Sequence, residues 1–237
     1  MCGRFGIVDD ALSMVNAFGI DPSITTFENL SACMPRYNVA PTDQIPVIFE
    51  KNNQRQTQSM RWGLIPYQTR TIRGRSALDE NGKSLNTPIN ARAETIHSKG
   101  SFKLSFEKRR CLIPASGFYE WKKTNFSKTP HWIHLENRPW MALAGIYTWW
   151  KSPSQEWIPS CTIITTTPNS LMESIHDRMP VILTEGSYDI WLNSRDPEMS
   201  ELKEILVPYA AKEMSAHTVS TDVNKTVNNS PYLVNPV

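Results

Sequence analysis

The stretch Gly117–Leu135, GFYEWKKTNFSKTPHWIHL, decides how the chain folds. Two runs rich in aromatic and β-branched residues, Phe118–Lys123 and Trp132–Leu135, flank the polar segment TNFSKTP, a pattern that predicts a β-hairpin. Working outward, Arg110–Ile113, Met141–Tyr147 and Cys161–Thr166 have the same character, as do Ile45–Glu50 and Gln58–Trp62 upstream. Helical patterns are shorter and peripheral. Asp9 is placed to cap a helix running to Phe18, with Leu12, Val15 and Phe18 on one face. Pro168–Ile175, Ser187–Leu192 and Glu198–Leu206 fit three more short helices. Strands in runs with helices at the edges give an α+β fold, mainly antiparallel sheets forming a barrel-like core. The regular alternation of parallel βαβ units is not seen.

The chain has 237 residues, and no repeat or Gly/Ser-rich linker divides it, so one domain over residues 1–237 is expected. A formal net charge of +2 means that an anionic partner must be met by a local patch. Its four cysteines, Cys2, Cys33, Cys111 and Cys161, are widely spaced, which argues against a zinc ribbon and a disulfide framework. The segment MCGRFGIVDD does not read as a signal peptide, and no apolar run approaches the ~20 residues of a spanning helix. A cytoplasmic, reducing location follows as the expectation, nucleoid-associated in a bacterium. Tyr67–Pro88 is long, polar and basic, with Arg70, Arg73 and Arg75. It is read as a mobile basic insertion at 67–88, either a disordered surface loop or a binding one.

Cys2 becomes the first residue of the chain if Met1 is removed, as is usual when the second residue is small. An α-amine of reference pKa ~7.8 would then stand beside a thiol of ~8.5. That pair suits aldehydes: the amine forms a Schiff base and the thiol closes onto the same carbon as a thiazolidine. It also suits acyl transfer, with the amine as base for the thiol. The plain alternative is a buried terminus with no chemistry.

Three polar clusters sit in apolar surroundings. In INARAET, Ile89–Thr95, strand periodicity puts Asn90 and Arg92 on one face, an amide and a guanidinium fork able to hold a hydroxyl and a phosphate, or else a buried structural network. In GFYEW, Glu120 lies between Tyr119 and Trp121, where burial would raise its pKa toward acid–base use; a solvent-facing glutamate is the alternative. Trp121 is either core or a platform for a stacked base. In IHDRMP, His176 precedes Asp177 and Arg178 and suits proton transfer. His131 and His134 fall on opposite faces of a strand and make a poor metal pair.

Taken in order, MCGRF, RYNVAPT at Arg36–Thr42, RWGLIP at Arg61–Pro66, INARAET, CLIPASGFYEW at Cys111–Trp121 and IHDRMPVIL at Ile175–Leu183 resemble the SRAP family, the SOS-response-associated peptidases also called abasic-site processing proteins. The C-terminal NNSPYLVNPV resembles the family ending, whereas Tyr67 stands where relatives often carry tryptophan. The resemblance implies that Cys2 captures the aldehyde of an abasic site in single-stranded DNA as a thiazolidine crosslink, a lyase-like activity in the DNA damage response. It further implies that Asn90 holds the linkage, Glu120 moves protons during ring closure and His176 acts on the opened sugar. Arg4, Arg36, Arg92 and Arg178 would bind flanking phosphates or make structural pairs. No cofactor, metal or membrane is implied, and a monomer suffices. The alternatives are an N-terminal-nucleophile amidohydrolase or cysteine peptidase, including self-removal of a leader, and a non-catalytic single-stranded DNA binder.

Overall fold

The computed structural model describes residues 2–25, 27–73, 76–193 and 198–237; Met1 and Arg75 lie outside them. The chain opens with β1 (Arg4–Ile7), α1 (Ala11–Ala17), α2 (Phe27–Ser31) and β2 (Arg36–Val39). β3 (Gln44–Lys51) and β4 (Gln54–Trp62) form a hairpin turned by Asn52 and Asn53, whose φ values of 53° and 62° suit a two-residue type I′ turn. Three short strands follow, β5 (Thr71–Arg73), β6 (Ser76–Leu78) and β7 (Ser84–Leu85). Next come β8 (Asn90–Arg92), α3 (Gly100–Lys108), β9 (Arg110–Ala115), β10 (Gly117–Lys123), β11 (Lys128–Leu135), β12 (Met141–Lys151) and β13 (Trp157–Thr166). The chain ends through β14 (Met179–Pro180), β15 (Ile182–Leu183), α4 (Tyr188–Leu192), α5 (Met199–Glu204) and β16 (Met214–Thr218).

The core is a closed ring of strands. β13 pairs with β4, β4 with β3, β3 with β9, β9 with β12, and β12 returns to β13. Closure removes the free sheet edges and leaves an interior filled by side chains such as Ile45, Val47, Ile113, Leu143 and Ile163, all buried. A second antiparallel sheet, in the order β16–β11–β10–β1–β2, is buried on one face against this core through Phe5, Phe118 and Ile133. Tyr119 and Trp132 emerge on its other face, where they pack with Val219, Val223 and Leu233 from the end of the chain.

One close approach fixes the second sheet. Gly6 and Gly117 are register partners, and the Trp132 ring lies over both. A Cβ on Gly117 would stand 2.4 Å from that ring and 2.6 Å from the Ile133 carbonyl oxygen, so only glycine fits. On the barrel side, buried Arg110 needs no carboxylate. Its guanidinium donates to the carbonyls of Phe106 and Glu107 at the end of α3 and of Trp191 and Asn193 at the end of α4. A cation at two helix C-termini meets the carbonyls those ends leave open.

Several expectations change. The first helix is capped by Asp10, whose side chain accepts from the Ser13 amide, and it buries Ala11, Met14 and Val15; Leu12 is 54 % exposed. Pro168–Ile175 contains only a 3-10 turn over Met172–Ser174. The long loop has a sheet of its own, β5–β6–β7, anchored where the Trp150 indole donates to the Thr69 carbonyl. Two pairings are parallel, β13 with β4 and β13 with β8, both between strands distant in sequence.

Candidate active site

β13 is the strand that assembles the site. At its C-terminal end Thr165 pairs with Arg92 of β8 along one edge and with Pro180 of β14 along the other. Asn90, at the start of β8, and His176, in the turn before β14, are thus held on two sides of one strand end. The second sheet supplies the rest. β1 pairs with β10 so that Arg4 faces Tyr119, and Cys2, just ahead of β1, packs on the core side close enough to feel the Glu120 charge.

Cys2 is fully buried among core residues. Burial pushes its thiol well above the ordinary range, and the negative charge of Glu120 adds to the shift. The Asn90 side-chain N–H donates to the Cys2 carbonyl at 2.9 Å, fixing this residue from the barrel side. The other end of that amide, Oδ1, is buried with no hydrogen-bond partner among the described residues. An orphaned acceptor of this kind, next to Cys2, is open to a donor brought by a ligand.

Glu120 is 2 % exposed, and burial raises its carboxyl to about 7. A carboxyl titrating there takes and returns a proton with near-equal ease at neutral pH. His176 Nδ1 lies 3.1 Å from the Arg178 backbone nitrogen, whose N–H donates to it when the ring proton is on Nε2. Nε2 faces Glu120 Oε2 at 3.8 Å. Asp177 Oδ1 also approaches Nδ1, at 2.9 Å, a contact that needs a proton on Nδ1, as in the other neutral tautomer or the charged ring. Burial lowers the His176 pKa, which favours a neutral ring. A cavity of about 310 Å³ opens over these groups, lined by Glu120, Trp121, Lys123, Lys128 and His176.

The other expected site residues divide by what already holds them. Trp121 lines the cavity, its indole donating to Asn224 Oδ1 at 2.7 Å, so it is a fixed wall and not buried core. Arg4 reaches across the second sheet to Asn38 Oδ1 and the carbonyls of Val223 and Asn224. Arg36 pairs with Asp43 at 2.9 Å. Arg178 is buried; its fork grips both carboxylate oxygens of Glu94 and the Thr165 carbonyl, which makes it a structural pair. Arg92 is exposed and makes no hydrogen bond among the described residues. It is the arginine of this set with its donors open to a phosphate. Lys123 and Lys128 were not singled out from sequence; the KK before TNFSK was their one signal.

Among the described residues no group of three or more His, Cys, Asp or Glu side chains converges as a metal site, and no helix is long and apolar enough to cross a membrane.

A buried N-terminal-region cysteine flanked by an amide, a carboxyl of near-neutral pKa and an imidazole, on a barrel-like α+β fold, defines the class: the chain belongs to the SOS response associated peptidase (SRAP) family, whose model matches residues 1–226. Among its relatives is the abasic site processing protein YoqW of Bacillus subtilis, 41 % identical over 235 residues and covering 99 % of both chains. Abasic site processing protein HMCES of Xenopus tropicalis is 32 % identical, over 83 % of this chain and 64 % of that longer protein. A crystal structure of a protein from Bacteroides thetaiotaomicron superposes with a TM-score of 0.84 at 28 % identity, covering 100 % of both chains.

Proposed function

We propose that this protein, once Met1 is removed, captures abasic sites in single-stranded DNA through Cys2 as a thiazolidine crosslink. The observation that carries this reading is the gathering of four separate segments of the chain, with Asn90 and Glu120 acting on Cys2 and His176 beside Glu120. That relatives are named abasic site processing proteins supports the same substrate.

The ring-opened abasic sugar presents an aldehyde. The Cys2 amine adds to its carbon, and loss of one water leaves an imine. The thiol then adds to the same carbon; its proton passes to Glu120, and Glu120 returns a proton to the nitrogen. One C–N and one C–S bond form, one water leaves, and nothing is oxidised. Because the buried thiol resists ionisation, it needs a base at hand, and a carboxyl titrating near neutral pH serves as one. Capture by sulfur also removes the iminium that would promote β-elimination and strand breakage. Asn90 holds the Cys2 carbonyl, and its free Oδ1 accepts from a hydroxyl or N–H of the adduct. His176, its Nε2 toward Glu120 and its ring on the wall of the cavity, is positioned to exchange protons with the opened sugar. One copy of the chain supplies every group.

The test is a denaturing gel of mature protein with an oligonucleotide bearing one abasic site. A heat-stable shifted band that disappears with Cys2→Ala is expected. No such band with protein whose Met1 is verified as removed, or an undiminished one with Cys2→Ala, overturns the reading.

A further inference from the structure

The β10–β11 hairpin extends past the site cavity and ends in a charged, aromatic tip for which neither fold nor core has a use. Lys123 and Lys128 are direct register partners on this hairpin, and both line the cavity. Like charges directly opposite each other on a sheet are destabilising, and neither lysine is in an ion pair among the described residues. Between them the turn is built and not floppy. The Thr124 amide donates to the Ser127 carbonyl at 2.9 Å, and the Ser127 amide donates to the Thr124 hydroxyl at 3.1 Å. This turn holds Phe126 out at 97 % exposure. Strand alternation puts Trp121, Lys123 and Lys128 on one face of the hairpin, since Trp121 pairs with Pro130 two positions from the lysine pair. The same face therefore runs from the indole wall of the cavity to two uncompensated cations, and the turn beyond them carries an exposed ring.

We propose that this hairpin tip is a docking finger for the DNA strand on one side of the captured nucleotide, with Lys123 and Lys128 on its phosphates and Phe126 stacked on an unpaired base. The inference rests on the abasic-DNA reading of the cavity and adds where the adjoining strand runs. A positive groove with aromatic platforms is the general chemistry of single-strand binding, because every base has a π-face and every nucleotide a phosphate. A cost in sheet stability at the lysine pair is offset when an anion bridges the two ammonium groups.

The test separates this claim from crosslinking by using a single-stranded oligonucleotide with a central tetrahydrofuran, an abasic analogue that carries no aldehyde. Binding is followed by fluorescence anisotropy across a salt series. Phe126→Ala is expected to weaken binding about 5- to 150-fold, the range for one lost base stack. Lys123→Gln with Lys128→Gln is expected to weaken it and to lower the slope of log K against log salt by about 1.4, two single-strand phosphate contacts. Lys123→Arg with Lys128→Arg keeps the charges and restores both values. Each loss is expected to vanish when the nucleotides on one particular side of the analogue are deleted, and to persist when the other side is deleted. Variants that bind within twofold of the parent, or losses that are equal whichever arm is removed, overturn the docking finger. A parent protein that binds the analogue with these dependences yet fails to crosslink true abasic DNA overturns the capture reading alone.

Discussion

Cys2 and Cys161 lie equally deep in the molecule, and burial pushes both thiols well above the ordinary range. Their surroundings differ. Cys161 sits in β13 inside the closed barrel, its sulfur 3.7 Å from the Arg61 carbonyl, and the charge acting on its thiol is the Arg61 cation, which opposes the effect of burial. Cys2 sits where the barrel meets the second sheet, with the Asn90 amide on its carbonyl and the charge of Glu120 on its thiol. The contrast separates two meanings of a buried cysteine. Depth alone makes a thiol a small inert hydrophobe. Depth beside a carboxyl of near-neutral pKa that itself lines a cavity suits the thiol to the nucleophilic role proposed for it, protonated until its partner acts.

The sharpest way to break this contrast is to exchange the fates of the two sulfurs. Cys2→Ala is expected to abolish the crosslink on a denaturing gel, while Cys161→Ala leaves the band in place. Loss of the band in both would mean that the barrel interior and the site are not separable.

Glu120→Gln comes next. Removal of a positioned acid–base group is expected to slow crosslinking about 10²- to 10⁴-fold in a single-turnover time course. It should also change stability in the opposite sense. The folded carboxyl titrates at about 7, above its ordinary 4.5, so between those values the folded protein holds more protons than the unfolded chain. Stability contributed by the neutral carboxyl is complete below pH 4.5 and is lost as pH rises through 7. Melting temperatures of the parent should therefore fall across that window, and Glu120→Gln should flatten the fall and melt higher at pH 8. A variant that is slower and also less stable at pH 8 would assign Glu120 a merely structural role.

Asn90→Ala removes one hydrogen bond to Cys2, and a rate loss of about tenfold is expected in the same time course, in line with ~1–1.5 kcal/mol for such a bond. The smallest effect belongs to the inert sulfur: Cys161→Ala should lower unfolding stability by about 1–2 kcal/mol in a denaturant titration, as a small cavity in a packed core does.

Much of this architecture can be read along the chain, and the reasons for the gaps are specific. Gly117–Lys123 and Lys128–Leu135 alternate aromatic and β-branched residues about a polar turn, so the hairpin is legible locally. α3, over GSFKLSFEK, was missed because glycine, serines and two phenylalanines give little helical signal; its burial of Phe102 and Phe106 on the barrel is a tertiary effect. The parallel pairing of β8 with β13 joins residues more than seventy apart through three residues of strand, too few to show a period. The convergence of Cys2, Asn90, Glu120 and His176 could be drawn from family motifs but not from spacing, since β13 assembles it in space. Arg178 and Arg92 look alike in sequence as phosphate ligands. What separates them is the carboxylate of Glu94, which is hydrogen-bonded by Arg178 and feels Arg92 only as a nearby charge.

The hold that Arg4 has on the Val223 and Asn224 carbonyls spans 219 and 220 residues, and Asn38 donates to the carbonyls of Val223, Lys225 and Asn228. This clasp sets a timetable for synthesis. Cys2 is synthesised long before the segment that pins the strand behind it and fixes the Trp121 indole. Until that segment has emerged, the nascent chain carries Cys2 without its walls. The reactivity proposed for Cys2 is thereby reserved for a chain that has already folded back on this segment.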